Sequence, residues 1–565
     1  MNYYALLLAI PFLSMQVWGQ GSLTPTGAPA AVMKTLDQVE PRKPVSNSQN
    51  TSISKAGSYY LTENITNGIS IEGDNIVLDL MGYSCSKQSG AVIRIYNWAD
   101  HITVKNGILL PGSDAYGIQS ESYGNCFENL TINGFNAPVG IYANSSDIIR
   151  NCSISGTYGD GILAGSQVEI RNCRLLRNNT LTGITASNNC IIVGNIILGG
   201  GDMRGLRLQG TNNLVSDNIV KGFIQNYVLA AGNQIDLLLS EVPETISWPC
   251  KVTFAGTLSC SDTTANGLTI ASDHVTVDMA GHALLGPGSS SQSGIYQSDT
   301  YSGLHVMNGI VANWRGNTKS GIQAMGQSAI INDVQVNSNY YGLYVGDNVV
   351  LERCTATANS SIGFTTEKCA SLTECIALTN GYMGFYLGWG NTIANCSALG
   401  NGGSGIYLDG RGCTISECTA TENTDAGIYA SIGDCIIKNS AVFFNWQSGI
   451  RVNGAGAVIS DCSVQYNGLH GIMIDSDCLV KDNTCTANGH DGDGAGIFTE
   501  YHDNRIENNN CTDNDWGIKV DGNGNFIVKN TASGNTTNFS INAGSHYGTI
   551  QTSISGAGPW DNFEF

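Results

Sequence analysis

Three acidic residues, Asp475, Glu500 and Asp521, each stand four places after a recurring glycine (Gly471, Gly496, Gly517), and Asp409 holds the same place after Gly405. If successive repeats stack as strands, neighbouring carboxyls lie about 5 Å apart and next-nearest ones about 10 Å. Those spacings bracket the carboxyl separations of retaining and inverting glycosidases. The repeat that carries Glu500 is also the odd one, 25 residues long where the others run to 21 or 22. Its extra residues bring His490, Asp491 and Asp493, with His502, Asp503 and Arg505 just after the strand. An insertion on one repeat bulges from a rigid scaffold, where sites tend to sit, so His502 joins the three acids as a catalytic candidate. Asp491-x-Asp493-x-x-Gly496 resembles part of a calcium loop, although Ala495 replaces a third oxygen ligand and the closing Glu is missing. Asp491 and Asp493 are therefore the metal candidates, and Ca2+ is the one cofactor for which the sequence offers ligands. The plainer reading of the insertion is a solvated acidic turn.

Binding chemistry is offered in two other places. Tyr386, Tyr407 and Tyr429 stand two residues after the glycine in three consecutive repeats, with Tyr344 two repeats earlier and Trp389 nearby. A flat aromatic row suits the apolar faces of sugar rings, although tyrosine is also a good strand former whose neighbours stack. Earlier in the chain Arg171, Arg174, Arg177, Arg204, Arg207 and Lys221 fall on three successive repeats, with Arg150 one period before Arg171. Stacked like charges repel unless an anion lies between them, so an acidic glycan is one partner for Arg171, Arg174, Arg204 and Arg207. Dispersed, solvated arginines whose stems cover apolar surface are the other reading.

What must position these residues is legible in the phrases Gly384-Phe-Tyr-Leu, Gly405-Ile-Tyr-Leu, Gly427-Ile-Tyr-Ala, Gly449-Ile-Arg-Val and Gly471-Ile-Met-Ile. Their period-two alternation marks short strands with one face buried. Two more strand-sized pieces bounded by Gly, Asn and Asp, such as Cys413-Thr-Ile and Thr419-Ala-Thr, fit within each period. No piece is long enough for a helix. The period predicts an all-β fold, a parallel β-helix of about 20 coils, right-handed by the crossover rule. Seventy glycines, 11 prolines and 13% charged residues agree with many tight turns.

Cys354, Cys375, Cys396, Cys418 and Cys462 share one slot of the period with Cys152 and Cys173, and Asn195, Asn218, Asn483, Asn509 and Asn530 fill it elsewhere. A slot that alternates between Cys and Asn reads as a small, inward-facing corner position, with stacked free thiols rather than bridges. One Cys per coil is not zinc spacing. Cys250 and Cys260 lie outside the slot and are the pair to consider for a disulfide.

In chain order, residues 1–19 read as a cleaved signal peptide and 20–50 as an extended, proline-bearing lead-in. Two tandem solenoid blocks follow, 51–240 and 241–545, because Ile69–Gly82 matches Leu268–Gly281 and Ile102–Ile108 matches Leu304–Ile310. The glycine phrase lapses between about 230 and 265, through Pro243 and Trp248-Pro249. Residues 546–565 form a tail whose Trp560, Phe563 and Phe565 suit a cap over the open end of the last coil, or else an address for an export machine. The net charge of −20 is unevenly spread: the first block has 11 Lys and Arg against 14 Asp and Glu, and residues 241–565 have 12 against 30. The apolar run Ala5 to Met15 is too short to span a bilayer, and no later run is long enough. The expected place is secreted, periplasmic or on the cell surface, and no nucleic-acid motif is present.

The repeating Asn-x-Ile-x-x-Asn/Cys and Gly-Ile-x-Leu pattern resembles the secreted right-handed parallel β-helix proteins of the pectin-lyase-like superfamily. That resemblance implies a fold shared by polysaccharide lyases, hydrolases, epimerases and adhesins, and no specific activity. The polygalacturonase-type set of Asn-Thr-Asp, Asp-Asp, Gly-His-Gly and Arg-Ile-Lys is not found. Two readings follow: an exported protein that binds and also processes polysaccharide, as lyase or glycosidase, or a non-catalytic structural or adhesive surface protein.

Overall fold

A computed structural model describes residues 42–49, 51–176, 182–230, 232–489 and 492–565. Within them the chain winds as a parallel β-solenoid of about 22 turns with no helix. A typical coil has three short strands, as in Ile406–Leu408, Thr414–Ser416 and Thr419–Thr421; we call their faces one, two and three. Each strand pairs in parallel with its counterpart one coil on, so Ile406 faces Phe385 behind it and Ile428 ahead. On face one the alternation seen in the sequence holds: Ile406 and Leu408 are buried and Tyr407 between them is half-exposed. The buried positions stack into rows, for example Phe364 on Phe385 with ring centroids 4.8 Å apart. The expected signal peptide lies outside the described residues. Solenoid pairing begins inside the expected lead-in, where Lys43–Val45 pairs with Tyr59–Leu61.

The corners are held by side chains rather than by regular turns. In the Cys/Asn slot, the Cys375 N–H meets Cys396 Sγ at 3.2 Å, and the Cys462 N–H donates to Asn483 Oδ1 at 3.0 Å. All eighteen cysteines are unpaired, including Cys250 and Cys260, which occupy different corners on either side of Lys251–Phe254 and Leu258–Ser259. A second corner carries an asparagine ladder that the sequence reading passed over. From Asn339 to Asn535 the backbone N–H of each asparagine donates to Oδ1 of the asparagine one coil on, at 2.8 to 3.2 Å. The ladder fixes the glycine of each phrase. A Cβ on Gly405 would lie 2.6 Å from Asn423 Nδ2 and 2.7 Å from the Gly427 carbonyl, closer than any side chain tolerates.

The tail continues the stack. Asn562 Oδ1 accepts the Asn530 N–H at 3.0 Å, Phe563 pairs with Thr531, and Trp560 meets Phe526 edge-on at 6.4 Å. At the join of the two repeat blocks one face is interrupted. Face two crosses it without a break, Asp236 pairing with Lys251 and Lys251 with Thr276. Face one ends with the strand through Tyr227, and a new 14-stranded sheet starts at Glu244–Ile246.

Candidate functional site

Face one of the second block presents one continuous outward row. Strand register places Tyr344, Thr365, Tyr386, Tyr407, Tyr429, Arg451, Met473, Phe498 and Lys519 on successive coils. Parallel pairing is forced by the buried residues on either side, so the outward residue of each coil must sit over the last. Tyr386 and Tyr407 stack with centroids 5.5 Å apart and planes 11° apart, and Tyr429 meets Tyr407 edge-on at 5.1 Å. The guanidinium of Arg451 lies over the Tyr429 ring at 5.1 Å.

The hydroxyls of Tyr344, Tyr386 and Tyr429 are fixed by the fourth residue after the glycine of the following coil. Tyr344 Oη donates to Glu367 at 2.9 Å, Tyr386 Oη donates to Asp409, and Asn453 Nδ2 donates to Tyr429 Oη at 2.8 Å. Burial, and then the bond to Glu367, pushes the Tyr344 phenol up to about 12; burial and the bond to Asp409 raise Tyr386 as well. Both phenols therefore stay protonated donors, and the carboxylates beside them keep free lone pairs. Thr365 is the small member of the row. Between Tyr344 and Tyr386 it leaves a hollow of about 210 Å³, walled also by Tyr341 and Ile362.

The acidic candidates share their slot as expected, following the paired Ile474, Thr499 and Val520 by one residue. Their surroundings differ from those of a sheltered acid. Asp475 is half-buried and accepts from Ser476 Oγ at 3.3 Å; Glu500 and Asp521 are exposed, and Lys519 Nζ lies 3.9 Å from Asp521. His502 is exposed and bonds Asp503 at 3.1 Å. Of the metal candidates, Asp491 lies outside the described residues, and Asp493 accepts the Trp516 indole N–H at 3.4 Å. Among the described residues no group of three or more His, Cys, Asp or Glu converges as a ligand set.

Buried beneath the insertion is a histidine the sequence reading did not single out. His470 stacks on Phe498 at 4.4 Å and accepts the Ala495 N–H on Nδ1 at 3.0 Å. Burial, with help from Lys519, lowers it to about 4. Because the folded value lies below the ordinary one, the neutral ring stabilises the coil above about pH 6.5, and that contribution is lost as pH falls towards 4. The difference is on the order of 3 kcal/mol. Acidifying from pH 7 to pH 4 should speed amide hydrogen exchange around Ala495. In His470→Asn, whose Oδ1 replaces Nδ1, exchange there should respond much less to pH, and an equal response would remove His470 as the cause.

The arginines do not form one surface. Arg171 stands in register with Arg150 on face two, and their counter-ions belong to the protein: Glu169 for Arg171, and Glu128 for Arg150 at 2.5 Å. Arg174 lies around the next corner on face three, exposed, while Arg204 and Arg207 are on face one. Three residues suffice to turn a corner here, so closeness in sequence does not become closeness in space. Arg177 lies outside the described residues.

A family model described as the right-handed beta helix region matches residues 308–441 and 388–537. No curated protein matches the chain. Similar solved structures include the A-module of mannuronan C-5 epimerase AlgE6 from Azotobacter vinelandii (16% identity, 59% of this chain and 90% of that one, TM-score 0.38). They also include the Dettilon tailspike protein (14%, 59% and 62%, 0.26) and the Agl-KA catalytic domain (14%, 57% and 57%, 0.28). This chain is a right-handed parallel β-helix repeat protein. Likeness at these identities and scores leaves the function to be argued from the residues.

Proposed function

We propose that this protein binds polysaccharide along face one of its second block, between Tyr344 and Tyr429, and that it does so outside the cell. The observation that carries this reading is the stacked aromatic row, in which the hydroxyls of Tyr344, Tyr386 and Tyr429 are locked by the next coil. Tyrosines held in place lose little freedom when a sugar ring lies on them, so more of the stacking energy survives as affinity. The hollow at Thr365 gives one ring a seat between Tyr344 and Tyr386. Glu367 and Asp409 beside the row accept hydroxyl protons and repel carboxylates, which selects a neutral glycan over a polyuronate. Half-buried rings with protonated hydroxyls are suited to holding a chain, and the solvated acids at 500 and 521 do not enter this reading.

Tyr407→Ala is expected to weaken a neutral polysaccharide found on a glycan array by about tenfold, on the order of 1–2 kcal/mol for one stacked ring. Affinity electrophoresis of the full chain would show it. Binding should change little between low salt and 0.5 M salt, because ring stacking is not screened. Retention of a polyuronate that is lost in high salt and in Arg174→Ala, with Tyr407→Ala unaffected, would replace this reading by one based on the first block.

A further inference from the structure

The interruption of face one opens a cleft of about 650 Å³ between the two blocks. Its walls include Tyr227 and Trp248, whose rings lie 6.3 Å apart, together with Asn226, Val242, Glu241 and Glu244. Register explains why it exists. The inward row of face one runs Ile162, Ile184, Leu206, Tyr227 in the first block and Glu244, Leu268, Ile295 in the second. Two polar residues thus occupy core positions at the seam, where no strand pairing closes the wall. The Tyr227 hydroxyl and the Trp248 indole N–H are both buried without a partner, and Tyr227 is only 7% exposed. Unpartnered donors and acceptors in a wall are costly unless something else is gained by keeping them.

The two carboxylates are tied to one amide. Asn226 Nδ2 donates to Glu241 Oε1 and to Glu244 Oε2, each at 2.9 Å, so those oxygens are separated by at most twice that distance. Two oxygens held this close are compatible with the carboxyl spacing of roughly 5–5.5 Å used in double displacement. Glu241 Oε1 also accepts the Gly222 N–H at 3.1 Å, so two donors hold that oxygen in place. Burial, with the nearby charge of Glu241 adding to it, raises Glu244 above the ordinary carboxylate range. Pushed towards neutrality, Glu244 is the one of the pair suited to give a proton.

We propose that the seam cleft is a retaining glycoside-hydrolase site for a neutral sugar, with Glu241 as nucleophile, Glu244 as proton donor and Trp248 as part of the wall facing the ring. Glu241 attacks the anomeric carbon as the glycosidic C–O bond breaks, and Glu244 gives its proton to the leaving oxygen. Water then adds to the same carbon, returning a proton to Glu244 and releasing Glu241 as carboxylate. The net change is the addition of one water across the bond.

The test uses the intact protein and 2-deoxy-2-fluoro glycosyl fluorides of gluco, galacto, manno and xylo configuration. These need no proton donor to leave and trap the nucleophile as a stable ester. A single glycosyl adduct on the peptide carrying Glu241 is expected with at least one of the four. It should be absent in Glu241→Gln and retained in Glu244→Gln. On a polysaccharide, release of new reducing ends should fall by about 100-fold or more in both variants. The adduct is read at Glu241 itself, so it reports this site independently of binding at the aromatic row. No adduct from any of the four sugars, or an adduct on another carboxylate, would overturn the assignment, and peptide mapping of the unsubstituted protein decides this even if a variant fails to fold.

Discussion

Replacing Asn423 with leucine is expected to destabilise the middle of the second block by about 4 kcal/mol. Asn423 Oδ1 accepts the Asn401 N–H at 3.0 Å and Asn401 Nδ2 at 2.9 Å; its own Nδ2 donates to the Ala398 carbonyl at 3.1 Å and to Asn445 Oδ1 at 2.9 Å. Leucine has similar bulk and none of these groups, and Asn423 is fully buried, so water cannot substitute. Each buried group left alone costs about 1–3 kcal/mol. Because a solenoid is held coil to coil, the loss should spread to the neighbouring coils and not to the far end. Hydrogen exchange in urea would show Ala398 to Asn445 opening first. A loss under 1 kcal/mol would mean that the ladder is ornamental and that the apolar stack alone holds the corner.

The second large effect concerns Asp147, a fully buried carboxyl in the first block. It accepts the N–H groups of Asn125 at 2.8 Å and Asn144 at 3.0 Å, and burial pushes it up to about 7. A carboxyl raised in the folded state contributes fully below its ordinary value near 4, and the contribution is lost as pH rises through about 7. The first block should therefore weaken by on the order of 4 kcal/mol between pH 4 and pH 8 from this residue alone. Asp147→Asn removes the charge and should flatten that slope, leaving the variant more stable than the parent at pH 8. At pH 4 it should be slightly less stable, because an amide offers one acceptor oxygen where the acid has two. Melting curves across this range test it, and parallel pH slopes in both proteins would rule Asp147 out.

Most of the architecture could be read from the chain because a solenoid repeats its instructions. Gly405-Ile-Tyr-Leu recurs with small changes, and the alternation of Cys and Asn at one corner survives comparison of repeats. The asparagine ladder was equally periodic, four residues before the glycine at Asn380, Asn401, Asn423 and Asn445. It was missed because asparagine is also an ordinary turn residue. The Tyr row was legible for the same reason as the fold, since alternation fixes which side chain points out. The hydroxyl partners were not, because Tyr386 reaches Asp409 across a coil and sequence spacing says nothing of reach. The arginine group failed for a geometric reason: a corner between Arg171 and Arg174 sends them to different faces. The seam cleft arises where the pattern lapses, around Pro243 and Trp248, and a method that looks for repetition sees only its absence there.

The buried cysteines give this molecule a built-in strain gauge along its axis. Cys354, Cys375, Cys396, Cys418 and Cys462 are sealed within successive parts of the stack, at 0% to 3% exposure, whereas Cys369 stands at the surface. An alkylating reagent in water reaches a sealed thiol only when its own coil opens. Cys369 should react at once and report reagent activity, while each of these sealed thiols times the opening of its segment. Mass spectrometry after graded exposure to urea would then draw the order in which the helix unwinds, one coil at a time, without a probe having been introduced.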